Sequence, residues 1–496
     1  MSKPKLLVGT PEIILDLNVG MGNLQNFGIN FSTGGMAPVA SADIIALIEN
    51  GAFDVYAAIP KWESSLRELN DLTTKEIKMI ESAIPDKFFL INHPSFNKVH
   101  IEGSNTQMYA DSSRFSSVDR ALAFSSGIVN TVIPKVKPDL FWTNDWMLGP
   151  AAVVAKAIDL GVISMGHNVF TKETSYDNLL SKGIEIRNFD NYKPADWACW
   201  YNGNFDFMAS EVNSSDDFIT VSPSFLDTIL SGAMDYLSPT VTAAIKEKAK
   251  HKHPDGRPRV HGYLNPLEKS HSNFLNAIEK EGLENTIVQR KKKGEELRAE
   301  LGLKEGGSFL VFPNRLYSSQ KNPELAIDNA IYLAKKYDLR ILFLAGGDPN
   351  LVNRAIDVSL ASNGLVAYSK FDKRIEEKIK ESDNSYGLLT SNFEPCGGPN
   401  LNYPVEGTLI VGHAIDGIKD TVTTDNGFPY QHNNIQDLEG AIVKMKEFAS
   451  RSDRERYIDY IKIANTFLAK YSPASRASKL VDEIFMPLYE ERMRNK

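Results

Sequence analysis

The segment Ser391–Thr408, SNFEPCGGPNLNYPVEGT, places a carboxylate, Glu394, on a tight loop that contains two glycines. The apolar run Tyr386–Thr390 comes directly before it and predicts a buried strand. A loop in this position is typical of α/β proteins, whose ligands bind beyond the carboxyl ends of parallel strands. Since a solvated turn can be built from simpler residues, we predict that Glu394 faces a bound molecule.

Short apolar runs recur along the chain, and a turn and a helical pattern follow each of them. This alternation predicts an α/β fold with parallel sheets that helices cover on both faces. The predicted strands are Lys5–Gly9, Phe53–Ile59, Leu140–Trp142, Val162–Met165, Phe218–Val221, Phe309–Phe312, Arg340–Leu344, Gly387–Leu389 and Thr408–Val411.

A polar stretch, His251–Gly306, lies between the two sets of strands and predicts a domain boundary near residue 270. We therefore expect domains at residues 1–270 and 271–473, followed by a helical segment at 474–496. In that segment Leu480, Ile484 and Leu488 form an apolar stripe, and Pro487 should kink or interrupt the helix. Further upstream, Asn322-Pro323-Glu324 predicts a capped helix start.

Composition excludes several classes of protein. The 496 residues carry a net charge of −8 and a pI near 5.7, which disfavours a nucleic-acid binder, and the basic run Arg290–Lys293 reads as a solvated helix face. Two cysteines predict a reducing compartment, and no run approaches the roughly 18 apolar residues of a membrane span. We expect a cytoplasmic protein. The histidines His251, His253, His261 and His271 lack the compact spacing of a metal site.

Several polar residues follow predicted strands in the first half. Gly34 and Gly35 precede a helical run, where their backbone N–H groups either approach a phosphate or simply form a turn. Asp145 follows a strand and either binds a sugar hydroxyl or caps the next helix. His167, also at a strand end, is suited to contact with a pyranose ring or a phosphate.

The second half carries a different set. Arg315 follows a strand and Lys321 precedes a helix, so these cations either converge on a diphosphate or are ordinary surface charges. A second glycine turn, Ala345–Pro349, includes Gly346 and also follows a strand.

The order of these motifs resembles the glycogen and starch synthase family of retaining glycosyltransferases. The matching pieces are STGGMAPV, NDWMLGPAA, GHN, FITVSPSFLDTI, NRLYSSQKN, LFLAGGDPNL and the ungapped block SNFEPCGGPNLNYPVEGTLIVGHAIDGIKDTV, which runs from Ser391 to Val422. Together with the closing helix they span about residues 5–490. The resemblance implies the GT-B fold, with two Rossmann-like domains facing across a cleft and the C-terminal helix crossing back to the N-terminal domain.

For function, the resemblance implies transfer of glucose from ADP-glucose or UDP-glucose to the non-reducing end of an α-1,4-glucan, with no metal. Arg315 and Lys321 would hold the donor diphosphate, and Glu394 would lie beside the glucose. His167 and Asp145 would act at the sugar and the acceptor. The remaining donor-binding residues would be Gly34, Gly35, Gly346, Tyr368, Cys396, Gly397 and Gly398. For the nucleotide base, the resemblance implies a stacking residue: Tyr368 or Phe371 either stacks on an adenine or uracil or belongs to the core.

The chain departs from the family pattern at several positions. Ser32 stands where the family has a lysine on the donor phosphate, and Asp416 adds a negative charge near the expected diphosphate. Asn144 and Met147 replace histidines beside Asp145. These differences motivate two alternatives: a glucosyltransferase for another acceptor, such as a protein, a small sugar or another glycan, and a nucleotide-sugar-binding protein with impaired turnover.

Overall fold

The computed structural model describes residues 3–17, 27–31, 35–62, 85–96, 101–102, 105–106, 115–186, 198–234 and 236–495. It divides the chain into two compact units. The first unit comprises residues 1–221, 226–268 and 473–496, and the second comprises residues 222–225 and 269–472.

The first unit contains a seven-stranded sheet in which every pairing is parallel, in the order β14-β13-β9-β8-β1-β4-β5. Short antiparallel groups, β2-β3, β6-β7 and β10-β12-β11, lie outside it. The strands are Lys5–Gly9 (β1), Ile13–Leu17 (β2), Phe27–Phe31 (β3), Asp54–Pro60 (β4), Phe88–Ile91 (β5), Ile101–Glu102 (β6), Asn105–Thr106 (β7), Leu140–Asn144 (β8), Gly161–Gly166 (β9), Glu173–Thr174 (β10), Trp200–Tyr201 (β11), Asn204–Asp206 (β12), Asp217–Thr220 (β13) and Val260–Gly262 (β14).

Helices surround this sheet and supply much of its core. They are Met36–Asn50, Ser117–Gly127, Ile133–Val136, Gly149–Ala157, Tyr176–Ser181, Phe207–Ser214, Pro223–Ser231, Pro239–Lys250, Pro473–Leu480 and Met486–Asn495. Two short 3-10 turns, Pro94–Phe96 and Trp146–Leu148, and two π-helical segments, Ile128–Val132 and Val481–Phe485, complete the list. Helix Pro223–Ser231 starts in the residues assigned to the second unit and continues in the first.

The second unit has a six-stranded sheet, again parallel throughout, in the order β17-β16-β15-β18-β19-β20. Its strands are Ser308–Phe312 (β15), Leu339–Leu344 (β16), Val366–Ser369 (β17), Ser385–Leu389 (β18), Leu409–His413 (β19) and Gly427–Tyr430 (β20). Its helices are Asn273–Glu281, Leu283–Glu300, Ser318–Lys321, Pro323–Tyr337, Pro349–Ala361, Lys373–Lys380, Pro399–Val405, Asp416–Thr421, Ile435–Ala449 and Asp453–Tyr471.

All nine strands predicted from apolar runs are present, and the α/β prediction is confirmed. The sequence missed β5, β14, β17 and β20, which are the edge strands of the two large sheets. An edge strand has a neighbour on one side only and is less completely covered, so its sequence needs fewer apolar residues. This is visible in β17, whose last two residues are only partly buried.

The C-terminal helices belong to the first unit, as the fold prediction requires. Leu480, Ile484 and Leu488 are all buried, which confirms the apolar stripe. The structure shows how the helix accommodates Pro487: the preceding five residues, Val481–Phe485, form a π-helical segment, and α-helix resumes at Met486. The π-helical segment interrupts the α-helical pattern of hydrogen bonds from residue i to residue i−4, in which a proline cannot donate because it has no backbone N–H.

The predicted cap at Asn322 is wrong. Asn322 precedes helix Pro323–Tyr337, but its φ is 42° and its side chain makes no capping hydrogen bond. The short helix Ser318–Lys321 ends directly before it, so Asn322 is the left-handed joint between two helices rather than a side-chain cap. The joint directs Lys321, the last residue of the short helix, into the protein.

Candidate active site

The loop that carries Glu394 is held in shape by its own residues. Gly397 has a φ of 85°, and a Cβ added there would lie 1.9 Å from the Asn400 Oδ1 atom, so only glycine fits. The Asn400 side chain donates to the Cys396 carbonyl oxygen over 2.8 Å and to Thr421 Oγ1 over 2.8 Å. These bonds fix the backbone that follows Glu394.

Glu394 forms a buried ion pair with Lys321. The Lys321 Nζ atom donates to Glu394 Oε2, and the two residues are 7% and 6% exposed. Ser391 Oγ donates to the same carboxylate oxygen over 3.1 Å. Thr390 Oγ1 donates over 2.8 Å to the Lys321 carbonyl oxygen, which ties the lysine's helix to the end of strand β18. The second unit thus combines a cation and an anion that the sequence assigned to one site.

Asp416 supports this loop from the neighbouring strand end. It follows β19, is buried, and accepts a hydrogen bond at Oδ2 from the Glu394 backbone N–H over 3.0 Å. In return, the Gly417 N–H donates to the Glu394 carbonyl oxygen over 3.0 Å. The sequence indicated a charge near the donor diphosphate at this position. In the structure, at least one carboxylate oxygen of Asp416 accepts a hydrogen bond from the backbone of Glu394.

Three other candidates for binding the donor, Arg315, Gly346 and Tyr368, lie together at the ends of β15, β16 and β17. Leu316, next to Arg315, donates its N–H to the Gly346 carbonyl oxygen over 2.8 Å. The Tyr368 hydroxyl donates to the Ala345 carbonyl oxygen over 2.9 Å, and burial raises the pKa of that hydroxyl. Arg315 itself is exposed, with its guanidinium carbon 5.5 Å from the centre of the Tyr317 ring.

Phe371, the alternative base-stacking residue, is 52% exposed and therefore not part of the core.

Gly398 is exposed, Gly397 is half-buried and Cys396 is buried beside Glu394. Ser222, which belongs to the second unit, donates from its hydroxyl to the Pro395 carbonyl oxygen over 2.6 Å. The backbone on both sides of Glu394 is thereby anchored.

In the first unit, Asp145 follows β8 and adopts a φ of 66° and a ψ of 165°, a conformation that is strained for a residue with a side chain. Burial, and after it the neighbouring Glu12, raise the pKa of Asp145 to about 7. Its Oδ1 atom has no hydrogen-bond partner within the described residues. Its side chain does not cap the following 3-10 turn, so the capping alternative is not supported.

His167 follows β9 and lies near the same strand end as Asn144, since its Nε2 atom is 3.2 Å from Asn144 Oδ1. Burial, and after it the positive charge of Arg476, lower the pKa of His167 to about 3. The imidazole is therefore neutral at physiological pH. A neutral ring can exchange hydrogen bonds with a hydroxyl group but brings no charge to a phosphate.

Sequence reasoning missed Glu12 and Glu211, which are both buried near Asp145. Burial raises the pKa of Glu211 well above its usual value, and Thr143 Oγ1 donates to its carboxyl group. Glu12 could have been found, because it follows the predicted strand Lys5–Gly9 just as Asp145 follows the strand before it. Glu211 lies inside a helix, where the strand-end rule gives no signal.

Of the glycines expected near the donor, Gly35 is exposed at the start of helix Met36–Asn50, where an added Cβ would meet nothing within 4 Å. Gly34 and Ser32 lie outside the described residues. Two of the four histidines considered for a metal, His253 and His261, both contact Asp217 Oδ1, over 3.0 and 2.8 Å. Among residues that the structure describes, there is no group of three or more His, Cys, Asp or Glu able to hold a metal ion.

None of the described helices is both long enough and apolar enough to cross a membrane.

Comparison with known proteins gives a consistent picture. A family model described as the starch synthase catalytic domain matches residues 27–238. A glycogen synthase from Clostridium botulinum is 24% identical, over 92% of this chain and 96% of that protein. A glycogen synthase from Bacillus licheniformis is also 24% identical, over 74% of this chain and 75% of that protein.

Solved structures show the same fold. The catalytic domain of starch synthase IV from Arabidopsis thaliana, bound to ADP and acarbose, superposes with a TM-score of 0.72 at 16% identity, covering 99% of this chain and 100% of that one. A sucrose-phosphate synthase from Thermosynechococcus elongatus gives a TM-score of 0.55 at 12% identity, with both chains fully covered. The family model, the relatives and the solved structures agree: the chain is similar to glycogen and starch synthases along most of its length, and it has the GT-B fold of the starch synthase catalytic domain.

Proposed function

We propose that the protein transfers glucose from ADP-glucose or UDP-glucose to the non-reducing end of an α-1,4-glucan, with retention at the anomeric carbon. The observation that carries the proposal is the buried Lys321–Glu394 pair at the carboxyl edge of the second sheet. Relatives that cover most of the chain are named glycogen synthases, which favours a glucan acceptor over the other acceptors considered.

On the donor side, Lys321 and Arg315 bind the diphosphate and stabilise the negative charge that develops on the departing nucleotide. Such preset charges accelerate the reaction because they interact more strongly with the transition state than with the ground state. Gly34, Gly35 and Gly346 approach the diphosphate through their backbones, and Tyr368 contacts the nucleotide.

On the sugar side, Glu394 and the backbone from Cys396 to Gly398 hold the glucose. When the donor diphosphate binds Lys321, the Glu394 carboxylate is released from its ion pair and balances the positive character at the anomeric carbon. Neutral His167 hydrogen-bonds a glucose hydroxyl, and Asp145, whose pKa is about 7, contacts the sugar or the acceptor.

No metal takes part in this proposal, because side-chain cations supply the charge that the diphosphate needs. We also infer a cytoplasmic location, which the two free cysteines in 496 residues support.

Nucleotide release tests the proposal. ADP-glucose and UDP-glucose are each supplied with glycogen, with maltooligosaccharides, with non-glucan acceptors and with no acceptor, in the presence and absence of EDTA. Release that requires a glucan and resists EDTA supports the proposal. Release with another acceptor alone, or donor binding by calorimetry without any turnover, contradicts it.

A further inference from the structure

Arg476 is a buried cation to which the proposed function assigns no role. It lies in helix Pro473–Leu480 and pairs with Asp43 of helix Met36–Asn50, and the two residues are 4% and 1% exposed. The Arg476 Nε atom donates to Asp43 Oδ1 over 2.8 Å and to Oδ2 over 3.1 Å. Because a buried ion pair is costly unless its remaining hydrogens also find acceptors, the other contacts of Arg476 indicate what the pair holds together.

The guanidinium joins the two segments at which the chain leaves and re-enters the first unit. The chain enters the second unit after Glu268 and returns at Pro473, which begins the helix of Arg476. Arg476 NH1 donates to the Tyr263 carbonyl oxygen over 3.1 Å and also to the Leu264 carbonyl oxygen. The departing and the returning segments are therefore held by one side chain, within the first unit.

A third contact reaches the strand end that carries two candidate site residues. Arg476 NH2 donates to the Met165 sulfur over 3.5 Å. Met165 is buried in β9, and its carbonyl oxygen accepts from the backbone N–H of Asp145 over 2.8 Å. His167 follows the end of this strand, and burial, and after it the charge of Arg476, lower the pKa of His167 to about 3. Arg476 thus contacts the residue that connects Asp145 to His167.

Helix Met36–Asn50 connects the same pair to a residue expected at the donor. The helix begins directly after Gly35, which the proposed function assigns to the diphosphate. In the part of the chain that the structure describes, the Asp43 carboxylate accepts hydrogen bonds from Arg476 alone. Burial raises the pKa of Asp43, and Arg476 opposes that shift. Since a helix is a rigid element, holding Asp43 in place also holds the start of the helix.

We propose that Arg476 is a positioning residue for glucosyl transfer. It holds the strand end of Asp145 and His167 and the helix that follows Gly35 in one arrangement, and it acts through these residues without touching the substrate. The inference rests on the proposed function, which supplies the reaction that this arrangement serves. A displacement of about 1 Å at a reacting group can lower a rate about a hundredfold, so loss of Arg476 should lower kcat more than it raises KM.

Arg492 provides a matched control, because it ties the C-terminal segment to the opposite end of β9. Arg492 NH2 donates to the carbonyl oxygen of Asp159 and, over 2.9 Å, to its side chain. Asp159 precedes β9, whereas Met165 lies near the carboxyl end of that strand. If both arginines only stabilised the fold, replacing either one by methionine would have the same effect on activity at equal stability.

The experiment compares Arg476→Met, Arg492→Met and the double variant Arg476→Met with Asp43→Asn, all in the full-length protein. Urea denaturation measures stability, and nucleotide release with a glucan measures kcat and KM. We expect Arg476→Met to lower kcat about tenfold at a temperature where it is folded. Arg492→Met should change kcat less than about twofold, since its pair lies nearer the surface. The double variant removes both members of the buried pair, so it should regain stability while its kcat stays low.

A second measurement needs no turnover. In protein with isotopically labelled histidine, the NMR resonances of the His167 ring report its surroundings, and His167→Gln assigns them by their loss. These resonances should move in Arg476→Met and in the double variant, and they should stay in place in Arg492→Met.

Full kcat in folded Arg476→Met would overturn the inference, as would a kcat that returns together with stability in the double variant. Unmoved His167 resonances in Arg476→Met would overturn it as well. A wild-type protein that releases no nucleotide with any acceptor would contradict the proposed function instead, and the resonances would still decide whether Arg476 holds the strand end of His167.

Discussion

Lys321 and Glu394 lie 73 residues apart in sequence, yet they form an ion pair that is almost completely buried in the second unit. Each charge is compensated by the other, and Ser391 adds a hydrogen bond to the carboxylate. Removing one partner of a buried pair leaves an uncompensated charge, which costs about 3–5 kcal/mol, whereas replacing both is often neutral. Because of this difference, replacing both residues should restore stability without restoring catalysis, so the two effects can be measured separately.

We predict that Lys321→Met and Glu394→Gln each lower kcat at least about a hundredfold, because each removes transition-state stabilisation. Lys321→Met should also lower the free energy of unfolding, measured by urea denaturation, by several kcal/mol. The double variant should regain most of that stability while its kcat stays low. Normal turnover in either folded single variant would refute the catalytic roles.

Asp416 should position Glu394 through the backbone hydrogen bond that it accepts. We expect Asp416→Gly, which retains the freedom for a φ of 41°, to lower kcat about tenfold, and Asp416→Asn, which keeps an acceptor oxygen, to recover most of the activity. Steady-state kinetics measure both. If the negative charge of Asp416 instead repelled the donor, both variants would lower the KM for the nucleotide sugar.

Gly397 should be required by the conformation of its loop. Gly397→Ala would hold a side chain at a φ of 85° and collide with Asn400, so we expect its free energy of unfolding to fall by about 1–3 kcal/mol. Gly398→Ala is the matched control for stability, since an added Cβ there has its nearest neighbour 4.0 Å away. Equal melting temperatures for the two variants would contradict the assigned geometry.

Asp145 should make the protein less stable as the pH rises. Its folded-state pKa is about 7, so between about pH 4 and pH 7 the folded chain holds a proton that the unfolded chain has lost. The wild-type free energy of unfolding should therefore fall across that window, by up to about 1.4 kcal/mol per pH unit from this group. Asp145→Asn should be more stable relative to wild type at pH 8 than at pH 4.5. Asp425→Asn, at an exposed turn, should show no such difference.

His167 should act in the opposite direction. Its folded-state pKa is about 3, so below about pH 6.5 the unfolded chain binds a proton that the folded chain does not. Stability from this group is complete above pH 6.5 and is lost as the pH falls. His167→Gln should thus lose less stability than wild type between pH 6.5 and pH 4.5, as measured by urea denaturation. Equal losses would show that the pKa of His167 is not lowered by folding, since the folded and unfolded chains would then bind the proton alike.

The local pattern of the sequence determined the strands at the centre of both sheets, the apolar stripe of the C-terminal helices and the strand-end position of Glu394, Asp145 and His167. These features follow from periodicity and from the burial that a central strand requires, which each segment encodes by itself. The edge strands escaped prediction because partial burial imposes a weaker pattern.

Only the tertiary structure decided which side chains meet. Three interactions join segments that are distant in sequence: the ion pair of Glu394 with Lys321, the hydrogen bond from the Glu394 backbone to Asp416, and the effect of the positive charge of Arg476 on the pKa of His167. A hydrogen bond or a shifted pKa depends on distances of a few ångströms and on the exclusion of water, and the packing of whole sheets and helices sets both. The sequence names the chemical groups, and the packing fixes the partner and the charge of each one.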